Sequence, residues 1–114
     1  MLPRHARLTS PNDYARTTKS GFRLTSKSLV LYLYPSQETS PARFGLIIGK
    51  SVGGSVVRHR IARQIRHGLL EHISKFPDGS LVVIRALPYC LKGSIREELS
   101  ILIPKSLNKL NVTR

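Results

Sequence analysis

The 114-residue sequence predicts an α+β domain: helices packed on one small, mixed, four-stranded sheet, in the order α-β-β-β-α-β-α. Three observations carry that reading. Apolar runs bounded by Gly, Pro or Ser recur at residues 28–34, 43–49 and 81–87, as buried strands do. Between the second and third runs, Val57, Ile61, Ile65, Leu69, Ile73 and Phe76 step by three or four residues, which on a helix makes one apolar stripe. The strand–helix–strand unit over residues 43–87 places its two strands parallel in the same sheet.

Residues 1–9, with Arg4, His5 and Arg7, read as a basic, flexible start. Ser10, Pro11 and Asp13 open a helix: a capping residue, a proline whose missing N–H costs nothing there, and an acid at the positive end of the dipole. That helix runs to about Ser20 and stops at Gly21. Phe22–Thr25 is a short strand. Ser28–Tyr34 is the clearest strand, closed by Pro35 and apolar on both faces; one face meets a helix, and the other presents Tyr32 and Tyr34, or else the leucines. Residues 35–42 form a loop, and Arg43–Gly49 is the next strand. Lys50–Ser55 is a connection, with Ser55 as N-cap of a main helix from about Val56 to Phe76 that Gly68 weakens in its middle. Pro77, Asp78 and Gly79 make a turn before the strand Leu81–Leu87, which Pro88 stops. Ser94 and Glu97, at capping-box spacing, start a last helix carrying Leu99, Leu102, Leu107 and Leu110. Pro104 is expected to kink or divide it, and Asn111–Arg114 to be a loose tail.

Composition narrows the function. The chain has 19 Lys and Arg against 6 Asp and Glu, a formal net charge of +13, so as a compact body it repels itself unless a polyanion neutralises it. Nucleic acid is the first candidate polyanion and an anionic membrane surface the competitor, but the apolar stripe is needed to build the core. A single cysteine, Cys90, allows no internal disulfide, which favours a reducing cytoplasm. Met1 to Arg4 reads as no signal-peptide start, because no apolar region follows the arginines, and no apolar run approaches membrane-spanning length.

The cations concentrate on the main helix. At about 100° per residue, Arg60, Arg63 and Arg66 fall roughly opposite the apolar stripe, with His59 and His67 in the same arc. Arg58 falls at the edge of the stripe, beside the core. A solvated charged face is the bland explanation. Against it, Glu71 is the only acid on the helix, so ion pairs one turn apart do not account for the arginines.

Other chemistries find little support. Gly45 to Ser51 resembles a phosphate-binding loop, but its spacing is one residue short and residues 45–48 read as strand. His59, His67 and His72 are not four apart and have no Cys or carboxylate to complete a metal set; near a polyanion they gain charge at mildly acid pH. Cys90 has no partner pattern for a nucleophile and reads as a small apolar residue at a strand end. Asp13, Glu38, Glu71, Asp78, Glu97 and Glu98 are scattered, so no carboxylate cluster is there to hold catalytic metal ions. By its own residues the chain is a binding module.

The run from Lys50 to Arg66, a Gly-Gly turn followed by Arg58, His59, Arg60 and further cations, resembles the signature of the bacterial ribonuclease P protein subunit. The likeness extends to Arg7 and Leu8, Asp13 and Tyr14, Lys19 to Gly21, Leu29 to Tyr32, Arg43 to Leu46 and Val82 to Arg85. It implies a fold resembling the second domain of ribosomal protein S5, with a left-handed crossover around the basic helix, against the common handedness. It also implies a partner, a catalytic RNA that uses Mg²⁺ held mainly by that RNA to remove the 5′ leader of precursor tRNA. The carried-over RNA-binding residues are Lys50, Arg58, His59, Arg60, Arg63 and Arg66, and the leader-cleft residues are Tyr14, Tyr32 and Phe44. The resemblance implies no protein or membrane partner. Three positions depart from the family pattern: His59 and Gly54 stand where Asn is usual, and Thr18 where a second aromatic is usual. The alternative left open is a ribosomal or other structured-RNA binder with no part in catalysis.

Overall fold

The computed structural model describes residues 6–88 and 94–113, with side chains as far as Leu110. The elements are α1 (Pro11–Ser20), β1 (Phe22–Thr25), β2 (Leu29–Pro35), β3 (Arg43–Ile48), α2 (Ser55–Leu70), β4 (Ser80–Ala86) and α3 (Ile95–Thr113). The sheet order is β1-β2-β4-β3. β2 is antiparallel to β1 and β4, and β4 is parallel to β3, as the strand–helix–strand unit requires.

Strands β2 and β4 lie at the centre of the sheet and are covered on both faces, which is why their sequences are almost continuously apolar. One face carries Leu29, Leu31, Leu33, Phe44, Val82, Ile84 and Ala86 into the main core under α2 and α3. The other carries Val30, Tyr32, Leu81 and Val83, covered by Leu8 and by Tyr14 of α1. Gly68 of α2 does more than loosen a helix. It is buried, and a Cβ there would lie 2.6 Å from Leu99 Cδ1, so its missing side chain lets α3 come close to α2.

Several expectations need correction. The α-helical part of α2 ends at Leu70, and Ile73–Lys75 form one 3₁₀ turn instead of a continuation to Phe76. Pro77 bars the helical conformation at Phe76, which is extended, so the chain must leave the helix early while Phe76 still reaches the core. Gly54 is the N-cap of α2, and Ser55 is its first residue. α1 does stop at Gly21, but that residue is extended rather than left-handed. α3 runs through Pro104 undivided; Pro104 and Ser100 are both exposed, so the carbonyl left without a helical partner faces water. The helix continues to Thr113 where a loose tail was expected, and Arg114 lies outside the described residues. Residues 6–9 are not frayed. Ala6 and Leu8 are buried, and the Leu8 N–H donates to the Phe44 carbonyl at 2.9 Å, adding a parallel bridge to the outer edge of β3. Residues 1–5 and Cys90 lie outside the described residues.

α3 is tied to the β1–β2 hairpin by Glu98. Its carboxylate accepts from the Ser28 backbone N–H at 2.7 Å and from the Ser26 hydroxyl. Burial works against its charge, but the bonds from Ser26 and Ser28, helped by Lys27, outweigh it and hold the carboxyl below its usual range. A depressed carboxyl stabilises the fold above its unfolded value and loses that contribution as pH falls through the folded one. Glu98→Gln is therefore expected to lower the melting temperature at about pH 7, with the deficit shrinking as the pH is taken down through the depressed carboxyl's range, below the usual carboxylate value. Thermal melts across that range check this; a deficit constant with pH contradicts it.

Candidate nucleic-acid interface

Helix α2 presents two faces because its apolar residues are spent inward. Ile61, Ile65 and Leu69 are 2%, 0% and 0% exposed, and Ala62 and Gly68 are buried beside them. His59, Arg60, Arg63 and His67 are exposed. Arg58 and Arg66 are half-buried on the flank that looks toward β3. Arg66 is therefore not opposite the stripe as the spacing suggested, because Ala62 belongs to the buried set and moves its centre toward Arg66. Lys50 is exposed in the turn between β3 and α2, a turn anchored by buried Val52.

A groove runs between α2 and β3. At one end it is a cavity of about 300 Å³ with Leu46 and Ile48 as apolar floor and Arg58, His59 and Arg66 as cationic wall. Arg66 also lines a second cavity of about 220 Å³ with Arg7, Thr9, Tyr14 and Gly45. Arg66 stands at the junction, so the two cavities form one track along the edge of β3. The Nε of Arg58 is buried without a hydrogen-bond partner among the described residues.

Charge is partitioned around this groove. Asp13 pairs with Arg16 at 2.8 Å and with Arg43 at 3.3 Å, and Glu38 pairs with Arg43 at 2.6 Å and Arg16 at 3.7 Å. Arg16 also lies 5.5 Å from the centre of the Tyr34 ring. Glu71 pairs with Arg96, and Glu98 is held by the hairpin. Among the described residues, no acid pairs with Lys50, Arg58, Arg60, Arg63 or Arg66. Nor, among the described residues, are three or more His, Cys, Asp or Glu grouped to hold a metal ion. Four of the acids, Asp13, Glu38, Glu71 and Glu98, are engaged inside the chain.

The leader-cleft residues do not all share the groove. Tyr14 lines the smaller cavity. Phe44 borders the same cavity, but its ring is in the main core, 5.3 Å from the Phe76 ring and edge-on to it. Tyr32 is 7% exposed in the cluster covered by α1, so its ring is not open to a stacking base. Thr18, where a second aromatic was in question, donates its hydroxyl back to the Tyr14 carbonyl at 3.0 Å. His72 lies past the end of α2; burial and the neighbouring Lys75 lower its pKa against a smaller opposing effect of Glu71, which disfavours its charged form. Arg7 and Gly45 are site members that spacing and residue type did not single out. The alternation of buried Ala6, exposed Arg7 and buried Leu8 was the available signal, a strand-like period of two.

This is a small α+β domain with one cationic helix face left unneutralised by its own acids. The Ribonuclease P family model matches residues 2–110, and the chain belongs to that family. It is similar to the ribonuclease P protein component of Mycobacteroides abscessus, 39% identical over 87% of this chain and 85% of the relative. It is also similar to that of Corynebacterium diphtheriae, 36% identical over the whole of both chains, 100% of each. Among solved structures, the Staphylococcus aureus RNase P protein superposes with a TM-score of 0.79 at 23% identity, covering 90% of this chain and 97% of that one. The Thermotoga maritima RNase P protein, solved with 1-(4-fluorophenyl)-2-thiourea, gives 0.73 at 19% identity, covering 84% and 95%. These likenesses support the mixed α+β architecture of four strands and three helices.

The two faces of α2 separate by mutation. Ile61→Ala is expected to cost about 2–5 kcal/mol of stability, and Tyr32→Ala about 3–5 kcal/mol if it behaves like other large buried aromatics. Arg60→Gln with Arg63→Gln is expected to stay within about 0.5 kcal/mol of the parent. Chemical denaturation checks all three; a Tyr32→Ala protein as stable as the parent would show that the ring is not part of the core.

Proposed function

We propose that this chain is the protein subunit of a ribonuclease P, docking a catalytic RNA on the exposed cations of α2. The groove between α2 and β3 takes the single-stranded 5′ leader of precursor tRNA. The observation that carries the reading is the row Lys50, Arg58, Arg60, Arg63 and Arg66, none of which is paired with an acid among the described residues. Family membership supports the reading of an RNA partner and of precursor-tRNA cleavage, and with it a cytoplasmic compartment. No helix among the described residues is long and apolar enough to cross a membrane.

The mechanism assigned to the protein is electrostatic and positional. Bringing a leader strand beside a folded RNA sets phosphate against phosphate, and without protein that repulsion must be screened by added salt or Mg²⁺. Arginines held on a rigid helix neutralise phosphates at fixed positions and release the counterions they held. Arg60 and Arg63 face outward toward the docked RNA. Arg58, His59 and Arg66 face the groove, over the apolar strip of Leu46 and Ile48 where a ribose or base edge can rest. Mg²⁺, held by the RNA, supplies the hydrolytic chemistry.

Reconstitution with the cognate catalytic RNA tests this. Protein alone is expected to leave precursor tRNA intact, and added to the RNA at low Mg²⁺ it restores cleavage and tightens binding of precursor over mature tRNA. Cleavage by RNA-free protein, or no effect of the protein on the RNA at any Mg²⁺ concentration, contradicts the proposal.

A further inference from the structure

The smaller cavity at the edge of β3 is assembled from four separate parts of the chain. The bridged segment at Leu8 supplies Arg7 and Thr9, α1 supplies Tyr14, β3 supplies Gly45, and α2 supplies Arg66. At about 220 Å³ it lies below the roughly 300–1,000 Å³ of cavities that enclose whole small molecules. It suits one group of a larger ligand. Arg7, Arg66 and Tyr14 among its lining residues carry donors suited to an anion, and the arginine fork matches phosphate oxygens in pairs. Arg66 forms no ion pair with an acid among the described residues, and the cations of α2 continue outward from it, as a polyanion's successive charges require.

Gly45 sets the shape of this cavity. A Cβ there would lie 2.4 Å from Tyr14 Oη, 2.5 Å from Cζ and 2.7 Å from Cε1, all inside contact distance. Any other residue would push the ring off the strand. Lifting of α1 is resisted by Asp13, the residue before Tyr14, which is tied to Arg43 of the same strand at 3.3 Å; the ring end of Tyr14 is the easier part to move. The displacement would fall on the Tyr14 ring.

We propose that Gly45 is a positioning residue: lacking a side chain, it seats the Tyr14 ring against β3, and the Tyr14 hydroxyl, Arg66 and Arg7 then hold one phosphodiester of single-stranded RNA. The inference rests on the RNA-binding reading above and names the residues that shape one subsite of it. The phosphodiester belongs either to the leader of precursor tRNA or to the catalytic RNA.

The test uses the reconstituted complex and compares parent, Gly45→Ala, Tyr14→Ala and the double variant. Affinity is read for precursor tRNA, for mature tRNA and for the catalytic RNA, with thermal melting alongside. Gly45→Ala is expected to weaken one RNA about tenfold, the scale of one hydrogen bond to a charged group. Weakened precursor tRNA with unchanged mature tRNA assigns the phosphodiester to the leader; weakened catalytic RNA assigns it there. In the Tyr14→Ala background the clash is gone, so adding Gly45→Ala is expected to cost no further affinity and leave melting unchanged. This arm keeps the test decisive if Gly45→Ala alone melts early. The seat is overturned if Gly45→Ala binds every RNA like the parent, or if its effect is undiminished without Tyr14. Loss of binding in Arg60→Gln with Arg63→Gln, beside intact binding in Gly45→Ala, sinks only the seat; a parent that binds no RNA sinks both readings.

Discussion

The burial of one helix stripe governs everything this protein offers its partner. Ile61, Ile65 and Leu69 are almost completely withdrawn from water against the sheet and α3. Each such side chain contributes about 1.5–3 kcal/mol. The cost of lining up arginines on the opposite side is smaller: like charges one helical turn apart destabilise by about 0.2–0.5 kcal/mol per pair, and salt screens them further. Burial wins, so a cationic face can be held rigid without a partner. The sheet is the platform that makes it possible, since β2 and β4 are themselves covered on both sides.

The acids are distributed to the same end. Asp13 and Glu38 are used on Arg16 and Arg43, locking α1 and the loop after β2 to β3. Glu71 pairs with Arg96 between α2 and α3, and Glu98 anchors α3 to the hairpin. Each stabilises the scaffold away from the α2 arginines. Part of the +13 excess therefore stands as a concentrated face on α2 with a groove beside it, while Lys19, Arg23, Arg85 and Lys105 are exposed elsewhere on the surface.

Strand and helix identities were legible because the sheet's central strands are apolar on both faces and α2 has a strong 3.6-residue period. Boundaries were less so. Ile73 and Phe76 keep helical spacing, yet a 3₁₀ turn presents them to the core just as well, and Pro77 decides the matter. The cationic helix of the site was legible from residue type and spacing. Its detail was not: one buried alanine, Ala62, rotates Arg66 from the back of the helix to its flank. Tyr32 illustrates a general limit, since a strand apolar on both faces does not reveal which face a helix will cover. Arg7 showed only the alternation of Ala6, Arg7 and Leu8, and Gly45 no signal for its role, because those roles depend on an edge bridge and on a ring from α1 that only the fold creates.

The central claim is that the unpaired arginines of α2 are the phosphate-binding surface. The most direct measurement is the salt dependence of affinity for the catalytic RNA, in the parent and in the protein with Arg60 and Arg63 changed to Gln. Log affinity should fall linearly with log salt concentration, and the slope should be shallower in the variant by about one unit for each phosphate that is no longer neutralised. Equal slopes and equal affinities, in a variant that melts like the parent, would contradict the account.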